Sequence, residues 1–286
     1  MDARNKAIAL TLLSSLLWGS SFVVAGYGID KADPVVFLVL RFVIAAPIAA
    51  AIWPWRRALR NRTVWALAAF NAVAFVLQYA ALGYTSVTNV ALLISMDLVF
   101  VSAASVHFLG ERATWRLGAS LCLGLAGVAV VELGYGDFDF SEKALWGDML
   151  ALGAAVSWTI YIVLSKKALS GADPLSAEEL TAGVCIATTL PLLFILPFAN
   201  FSHSTEWTAV LALAAYLAIF TTILAYVLWY KGLEKLPAST TSVLLLMEIG
   251  FAALLAYLFL SDRVGVWTVV GGALICSAAV LAATGK

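Results

Sequence analysis

The chain has 286 residues, of which 63% are hydrophobic and 12% charged, and its 17 Lys and Arg balance 17 Asp and Glu. Soluble domains average about 25% charged residues, so this composition, with a mean hydropathy of +0.98, excludes an ordinary soluble globule and reads as a polytopic membrane protein. Zero net charge excludes a basic nucleic-acid-binding face, and Cys122, Cys185 and Cys276 fall in apolar runs without metal spacing, so no metal, cofactor or disulfide framework is expected.

A bilayer core takes about 20 apolar residues per helix. That length predicts ten spans, at 6–27, 34–53, 63–84, 87–109, 114–134, 145–166, 176–197, 207–231, 237–260 and 264–284. Arg4 and Lys6 ahead of the first apolar run resemble the start of a signal peptide, but nine further spans favour a retained helix. Span one carries Ser14, Trp18 and Ser21 at helical spacing. Span two holds Arg41, whose guanidinium has three readings: a fork for a carboxylate or phosphate, a snorkelling cation, or a structural partner of Asp33 or Asp97. Span three offers Asn71, Phe75, Gln78 and Tyr79.

Span four contains VALLISMDLVFVSAASVHFL, in which Asp97 is the one formal charge, with Asn89, Leu93, Met96 and Phe100 near the same face. Span five is rich in small residues (Gly118, Ser120, Gly124, Gly127) that allow close helix approach, as do Gly271 and Gly272 in span ten. Packing within the monomer is the first reading of these, and dimer contact the second. The expected assembly is a monomer or weak homodimer. Span six carries Asp148, expected to be solvated or a cap, then Trp158, Tyr161 and Ser165. Span seven places Thr181 where span two has Arg41, and Pro47 and Pro191 are expected to kink these two spans. Span eight holds Thr222, Tyr226, Trp229 and Tyr230, and span nine Thr240, Leu244, Met247, Glu248 and Phe251.

Seven tryptophans (Trp53, Trp55, Trp65, Trp115, Trp146, Trp207 and Trp267) lie near predicted span ends, as in an aromatic belt. With both termini inside, the inner segments hold 13 Lys and Arg and the outer loops only Lys31, Lys143 and Arg263. That bias predicts cytoplasmic termini. It also places the acidic stretch Glu132, Asp137, Asp139 and Glu142 in an outer loop. The expected location is the bacterial inner membrane.

The halves align on each other. At an offset of 140, Trp18 meets Trp158 and Ala32-Asp33-Pro34 meets Ala172-Asp173-Pro174. At 151, Tyr79 meets Tyr230, Met96 meets Met247, Asp97 meets Glu248 and Arg112 meets Arg263. Two repeats follow, 1–136 and 137–286. Five spans is an odd number, so the second copy enters the membrane inverted, the plan by which many secondary transporters build a midplane site.

The segments LLWGSSFV, DPVVFLVLRFVIAA, ALGYTSVTNVALL, FLGER, AAVSWTIYIVLSKKA and GLEKLPASTTSVLLLMEIGFAALLAYLFLSD resemble the drug/metabolite transporter superfamily, in its EamA branch with two EamA-type repeats. The resemblance spans essentially the whole chain. It implies a ten-helix inverted-repeat carrier, with a central cavity lined by spans one to four and six to nine, that exports or exchanges amino acids, other metabolites or drugs. One departure stands out: the family commonly follows these acidic or small positions with proline, whereas Leu98 and Ile249 follow here. Straighter helices are therefore expected at spans four and nine.

A carboxylate at the centre of an apolar helix costs on the order of 2.5–3.5 kcal/mol on insertion scales and usually marks a pathway. Asp97 and Glu248 are expected at equivalent depths facing one cavity, binding a proton or a substrate ammonium; the alternative is two hydrogen-bonded acids that merely pack helices. Trp18, Ser21, Asn71, Gln78, Tyr79, Asn89, Met96, Trp158, Tyr161, Tyr226, Trp229, Tyr230 and Met247 complete the candidate solute site. Aromatics with a polar tip suit an amphipathic solute, although each could equally pack helices or face lipid. The leading reading is a secondary transporter of amino acids or related small solutes, with export implied by the resemblance. A multidrug or nucleoside facilitator is the alternative, and an enzyme or channel the rival from another class.

Overall fold

The computed structural model describes residues 2–28, 31–136, 138–199, 206–260 and 265–284, which are helical with no strand among them. Asp137, Arg263 and the Lys286 counted among the inner cations lie outside the described residues. The helices are α1 (Ala3–Gly28), α2 (Pro34–Ile52), α3 (Arg56–Arg60), α4 (Arg62–Ala81), α5 (Val87–Ile94), α6 (Asp97–Phe108) and α7 (Trp115–Tyr135) in the first half. The second half has α8 (Glu142–Ser170), α9 (Ala177–Leu193), α10 (Trp207–Tyr216), α11 (Ala225–Lys235), α12 (Ala238–Leu245), α13 (Met247–Leu260) and α14 (Val266–Thr284).

Counting α5–α6, α10–α11 and α12–α13 as single stretches, nine helical segments among the described residues are long and apolar enough to cross a membrane. The stretch expected as the seventh span is α9, with 17 residues. Pro191 sits in its last turn, and the chain continues into a 3-10 turn at Leu196–Phe198. A proline inside a helix removes one backbone donor and crowds the preceding turn, so the regular helix ends earlier than hydropathy suggests.

Helix pairings come in matched sets. The α1–α11 contact has its counterpart in α4–α8, and α1–α13 has its counterpart in the packing of α5 and α6 on α8. The pairs α2–α9 and α7–α14 are their own counterparts. Each half therefore uses the same plan and lends helices to the other. Glycine makes the α7–α14 seam possible: a Cβ on Gly127 would sit 2.8 Å from the Gly271 carbonyl oxygen, and one on Gly271 2.5 Å from that of Gly127. Packing inside the monomer thus accounts for Gly124, Gly127 and Gly271, whereas Gly118 and Gly272 face open space. Trp115, Trp146 and Trp267 are well exposed at helix ends, as a belt residue would be.

Glu132 corrects the sequence reading. It is not a loop residue but lies in α7, only 7% exposed, with its carboxyl against Thr88 of α5. The helix runs past it to Tyr135 and ends only at Gly136, which adopts the left-handed C-cap conformation at φ 66°. Asp148 is not simply solvated: it accepts from Thr85 Oγ1 at 2.9 Å and Asn89 Nδ2 at 3.1 Å.

Candidate functional site

Both acids sit at breaks in their spans, which overturns the expectation of straighter helices. α5 ends at Ile94, and Asp97 opens α6; α12 ends at Leu245, and Glu248 lies in the first turn of α13. Proline is not needed. Around Asp97 the backbone tightens to three-residue bonds, from Met96 N–H to Leu93 O at 3.2 Å and from Leu98 N–H to Ser95 O at 3.3 Å. The Ser95 hydroxyl meanwhile donates to the Ala91 carbonyl at 2.8 Å, a back-bond that competes with the helix ladder. Around Glu248 the bonds run from Ile249 N–H to Leu246 O at 3.1 Å, the mirror of Leu98 to Ser95, and, one residue out of register, from Leu246 N–H to Val243 O at 3.2 Å. A helix start carries partial positive charge, so each break offers its carboxylate a favourable place inside the membrane.

The acids are half-buried. Asp97 and Arg41 are the two charges that act on Glu248, so the second acid, the first acid and the guanidinium share one electrostatic neighbourhood. Gly19 brings α1 against the second break: a Cβ there would lie 2.8 Å from the Glu248 carbonyl oxygen and 3.0 Å from the Ala252 nitrogen.

Arg41 is 7% exposed, and its guanidinium donates to Thr222 Oγ1 and, at 2.8 Å, to the Thr221 carbonyl. Its plane also lies over the Phe75 ring, 5.2 Å from the centroid. The expected pairings with Asp33 and Asp97 are not what fixes it. Asp33 caps α2, accepting from Val35 N–H at 2.7 Å. Thr221 lies in a π-helical stretch, Leu217–Leu224, between α10 and α11. Such turns are rare and collect at functional sites. This one turns a backbone carbonyl outward to two side chains, because Trp18 Nε1 also donates to Thr221 O at 2.8 Å.

Around that carbonyl is an aromatic cluster. Trp18 touches Tyr226 and Trp229, each at 5.9 Å between ring centroids; Tyr161 stacks on Trp229 at 5.8 Å; Trp158 meets Phe75 edge-on at 5.0 Å and Tyr161 at 5.7 Å. The Tyr161 and Tyr230 hydroxyls lie 2.5 Å apart. Tyr226 donates to Asn71 Oδ1 at 3.2 Å, and Asn71 Nδ2 donates to Thr188 at 3.1 Å. Asn71 and Thr188 are fully buried, so Asn71→Leu strands two buried hydroxyls. It is expected to lower folding stability by about 1–3 kcal/mol, read as a drop in thermal midpoint in detergent.

The remaining candidates divide. Gln78, Tyr79 and Trp158 are half-buried, and their polar tips have no hydrogen-bond partner among the described residues. Met96 and Met247 flank the acids and are also half-buried. Ser21 is committed to its own helix, donating to Trp18 O at 2.6 Å. Asn89 is held away from the acids in a junction with the Asp139 carbonyl at 2.8 Å and Asp148.

The two ends of the bundle differ. On the Glu111 side of the acids, Ser14, Ser15, Thr241, Val243 and Leu244 are at most 1% exposed. On the other side, α13 from Phe251 to Phe259 is half-buried or exposed throughout. The closed end is tied both across the halves, through Glu111 and Arg57, and within the second half, through Lys166 and Lys231. Glu111 accepts from the backbone N–H of Ala238 at 2.5 Å and from the N–H and hydroxyl of Ser239 at 3.2 and 2.5 Å, capping α12. Lys166 Nζ donates to the Leu233 and Leu236 carbonyls at 2.6 and 2.9 Å, and Lys231 pairs with Glu178 at 2.6 Å. Arg57 on α3 pairs with Asp173 and with Glu179, and its hydrogen bond to Asp173 raises its pKa above the ordinary value. Nothing in the sequence marks Glu111 as a cap beyond its place in FLGER, and neither Thr188 nor the Thr221 carbonyl stands out there.

Fold and site together define an all-helical, multi-pass membrane protein of two like halves, with an acid at the break of one helix in each. The chain belongs to the EamA-like transporter family, whose profile matches it twice, over residues 5–133 and 145–284. It is 31% identical over 295 residues to an uncharacterized transporter of Archaeoglobus fulgidus, with 99% of this chain and 98% of that protein covered. It is 26% identical over 276 residues to a protein of Streptantibioticus cattleyicolor named "Probable terminal-alkyne amino-acid exporter", covering 94% and 91%. A solved crystal structure shares the fold, with a TM-score of 0.82, 22% identity, and coverage of 97% and 96%.

Proposed function

We propose that this transporter is an alternating-access exporter of amino acids or related amphipathic amines, with Asp97 and Glu248 binding the solute ammonium or a coupling proton. The observation that carries the reading is the mirrored pair of helix breaks, each offering one carboxylate within the electrostatic reach of the other. Discontinuous helices at a repeat interface are how many carriers place ion and solute sites at mid-membrane. The Streptantibioticus relative's name adds support for an amino-acid class.

In this proposal the chain crosses the bacterial inner membrane ten times, α9 being the shortest crossing. Repeats 1–136 and 137–286 lie inverted to each other and both termini are cytoplasmic, so the Glu111 end faces the cytoplasm and is closed. Arg41 holds α2 to the π stretch instead of binding an anion, because its buried guanidinium already spends two donor positions on Thr221 and Thr222. That favours amines over phosphorylated solutes.

Counterflow tests the reading. Proteoliposomes preloaded with unlabelled solute, drawn from amino acids, nucleosides and cationic drugs, should accumulate the labelled form transiently for at least one amino acid. An imposed pH gradient should change the level if protons are coupled. Absence of counterflow for every amino acid, with signal for a nucleoside or drug, would move the solute class; absence for all would remove the carrier reading.

A further inference from the structure

The offset that pairs Asp97 with Glu248 also pairs Gln78 with Trp229 and Tyr79 with Tyr230, and the shorter offset pairs Trp18 with Trp158. Members of each pair do not share a state. Gln78 and Tyr79 are half-buried and without a hydrogen-bond partner among the described residues, whereas Trp229 is 1% exposed and Tyr230 fully buried, with its hydroxyl taken by Tyr161. Trp18 has its indole N–H on the Thr221 carbonyl at 2.8 Å, while the Trp158 indole N–H has no partner among the described residues. The buried Trp229 Nε1 has none either, although a buried donor normally finds one. The residue equivalent to Thr221 is Phe70, and its carbonyl is taken here by the Ser157 hydroxyl at 2.8 Å.

We infer that the solute site consists of two alternating polar sets rather than one fixed set. Gln78, Tyr79 and Trp158 face the solute in the state seen here, and Trp18, Trp229 and Tyr230 replace them when the bundle opens at the Glu111 end. In that second state Trp158 takes the Phe70 carbonyl, Trp18 leaves Thr221, and the orphan Trp229 N–H gains an acceptor from solvent or solute. Asp97 and Glu248, at the level of the breaks, serve both states. The sets are chemically unequal: Gln78 both donates and accepts, whereas Trp229 only donates. The two faces of the carrier therefore read different groups on the same solute, with the amide of Gln78 matching a solute carboxylate or amine and Trp229 matching an acceptor alone.

The inference rests on the alternating-access reading, and its test needs no solute. In nanodiscs, exchange of Trp indole N–H protons with water is followed by NMR on protein labelled with 15N-tryptophan, each signal assigned by a Trp→Phe variant. In the unmodified protein Trp158 should exchange about tenfold or more faster than Trp18 and Trp229, as exposed and sealed groups differ in protection. Glu111→Gln, which weakens the α12 cap, should slow Trp158 and speed Trp229; Ser239→Ala, which removes a single hydroxyl contact, should do so in smaller measure and serves if Glu111→Gln does not fold. Equal exchange of Trp158 and Trp229 in the unmodified protein overturns the inference. So does a change of both in the same direction, or of neither, in the variants. Reversed exchange without counterflow would keep the alternation and sink the transport reading, and the opposite pairing of results would sink only the alternation.

Discussion

Glu248→Gln is expected to cut transport of an amine-bearing solute by about ten- to a hundredfold, because a hydrogen bond to a charged group contributes about 1.5–3 kcal/mol. Asp97→Asn should fall in the same range. The double variant should lose less than the product of the two, since the Asp97 charge is felt at Glu248 and coupled sites are not additive. Initial rates of counterflow at two solute concentrations and several pH values decide the matter. Normal transport by both single variants at every pH would leave the acids as helix-packing groups.

Gly19→Val is the second large effect, expected to destabilise the fold by about 1–3 kcal/mol, the usual cost of overfilling a packed contact. No neighbour can move aside cheaply, because a side chain would meet the Glu248 carbonyl oxygen at 2.8 Å, the Ala252 nitrogen at 3.0 Å and the Phe251 Cβ at 3.0 Å, two backbone atoms and one fixed to the backbone. Separating α1 from α13 also displaces the start of the helix that carries Glu248, so transport should fall further than stability alone explains. Gly250→Ala, where nothing lies within 4 Å, is the control: it should not lower the thermal midpoint, since alanine favours the helix over glycine, and should leave counterflow unchanged.

Much of this was legible because membrane spans are written in hydropathy and repeats in offset. Apolar runs of bilayer length mark the helices, and the mirrored positions of Asp97 and Glu248 in the sequence match the mirrored helix breaks at which both acids lie. The helix breaks carry no proline to announce them; the interruption is made by three-residue backbone bonds and the Ser95 hydroxyl. Glu132 was misplaced because its carboxyl is made tolerable by Thr88 on another helix, a contact between distant positions that hydropathy does not encode. Asn89 shares a face with Asp97 on an ideal helix, but the break ends that helix between them and Asp148 holds its amide. The three sequence readings of Arg41 do not include its partners, the Thr222 hydroxyl and the Thr221 carbonyl within a π turn. No periodicity announces such a turn.

The π stretch stores one residue more than an α-helix of the same rise would need. Span eight should therefore tolerate deletion of a single residue between 217 and 220, with α10 and α11 closing into one regular helix. The loss would fall on the Thr221 carbonyl, drawn back into the ladder and no longer free to tether α1 through Trp18 and α2 through Arg41. A chain shortened in this way would still insert, but with three helices that had met at one oxygen now unjoined.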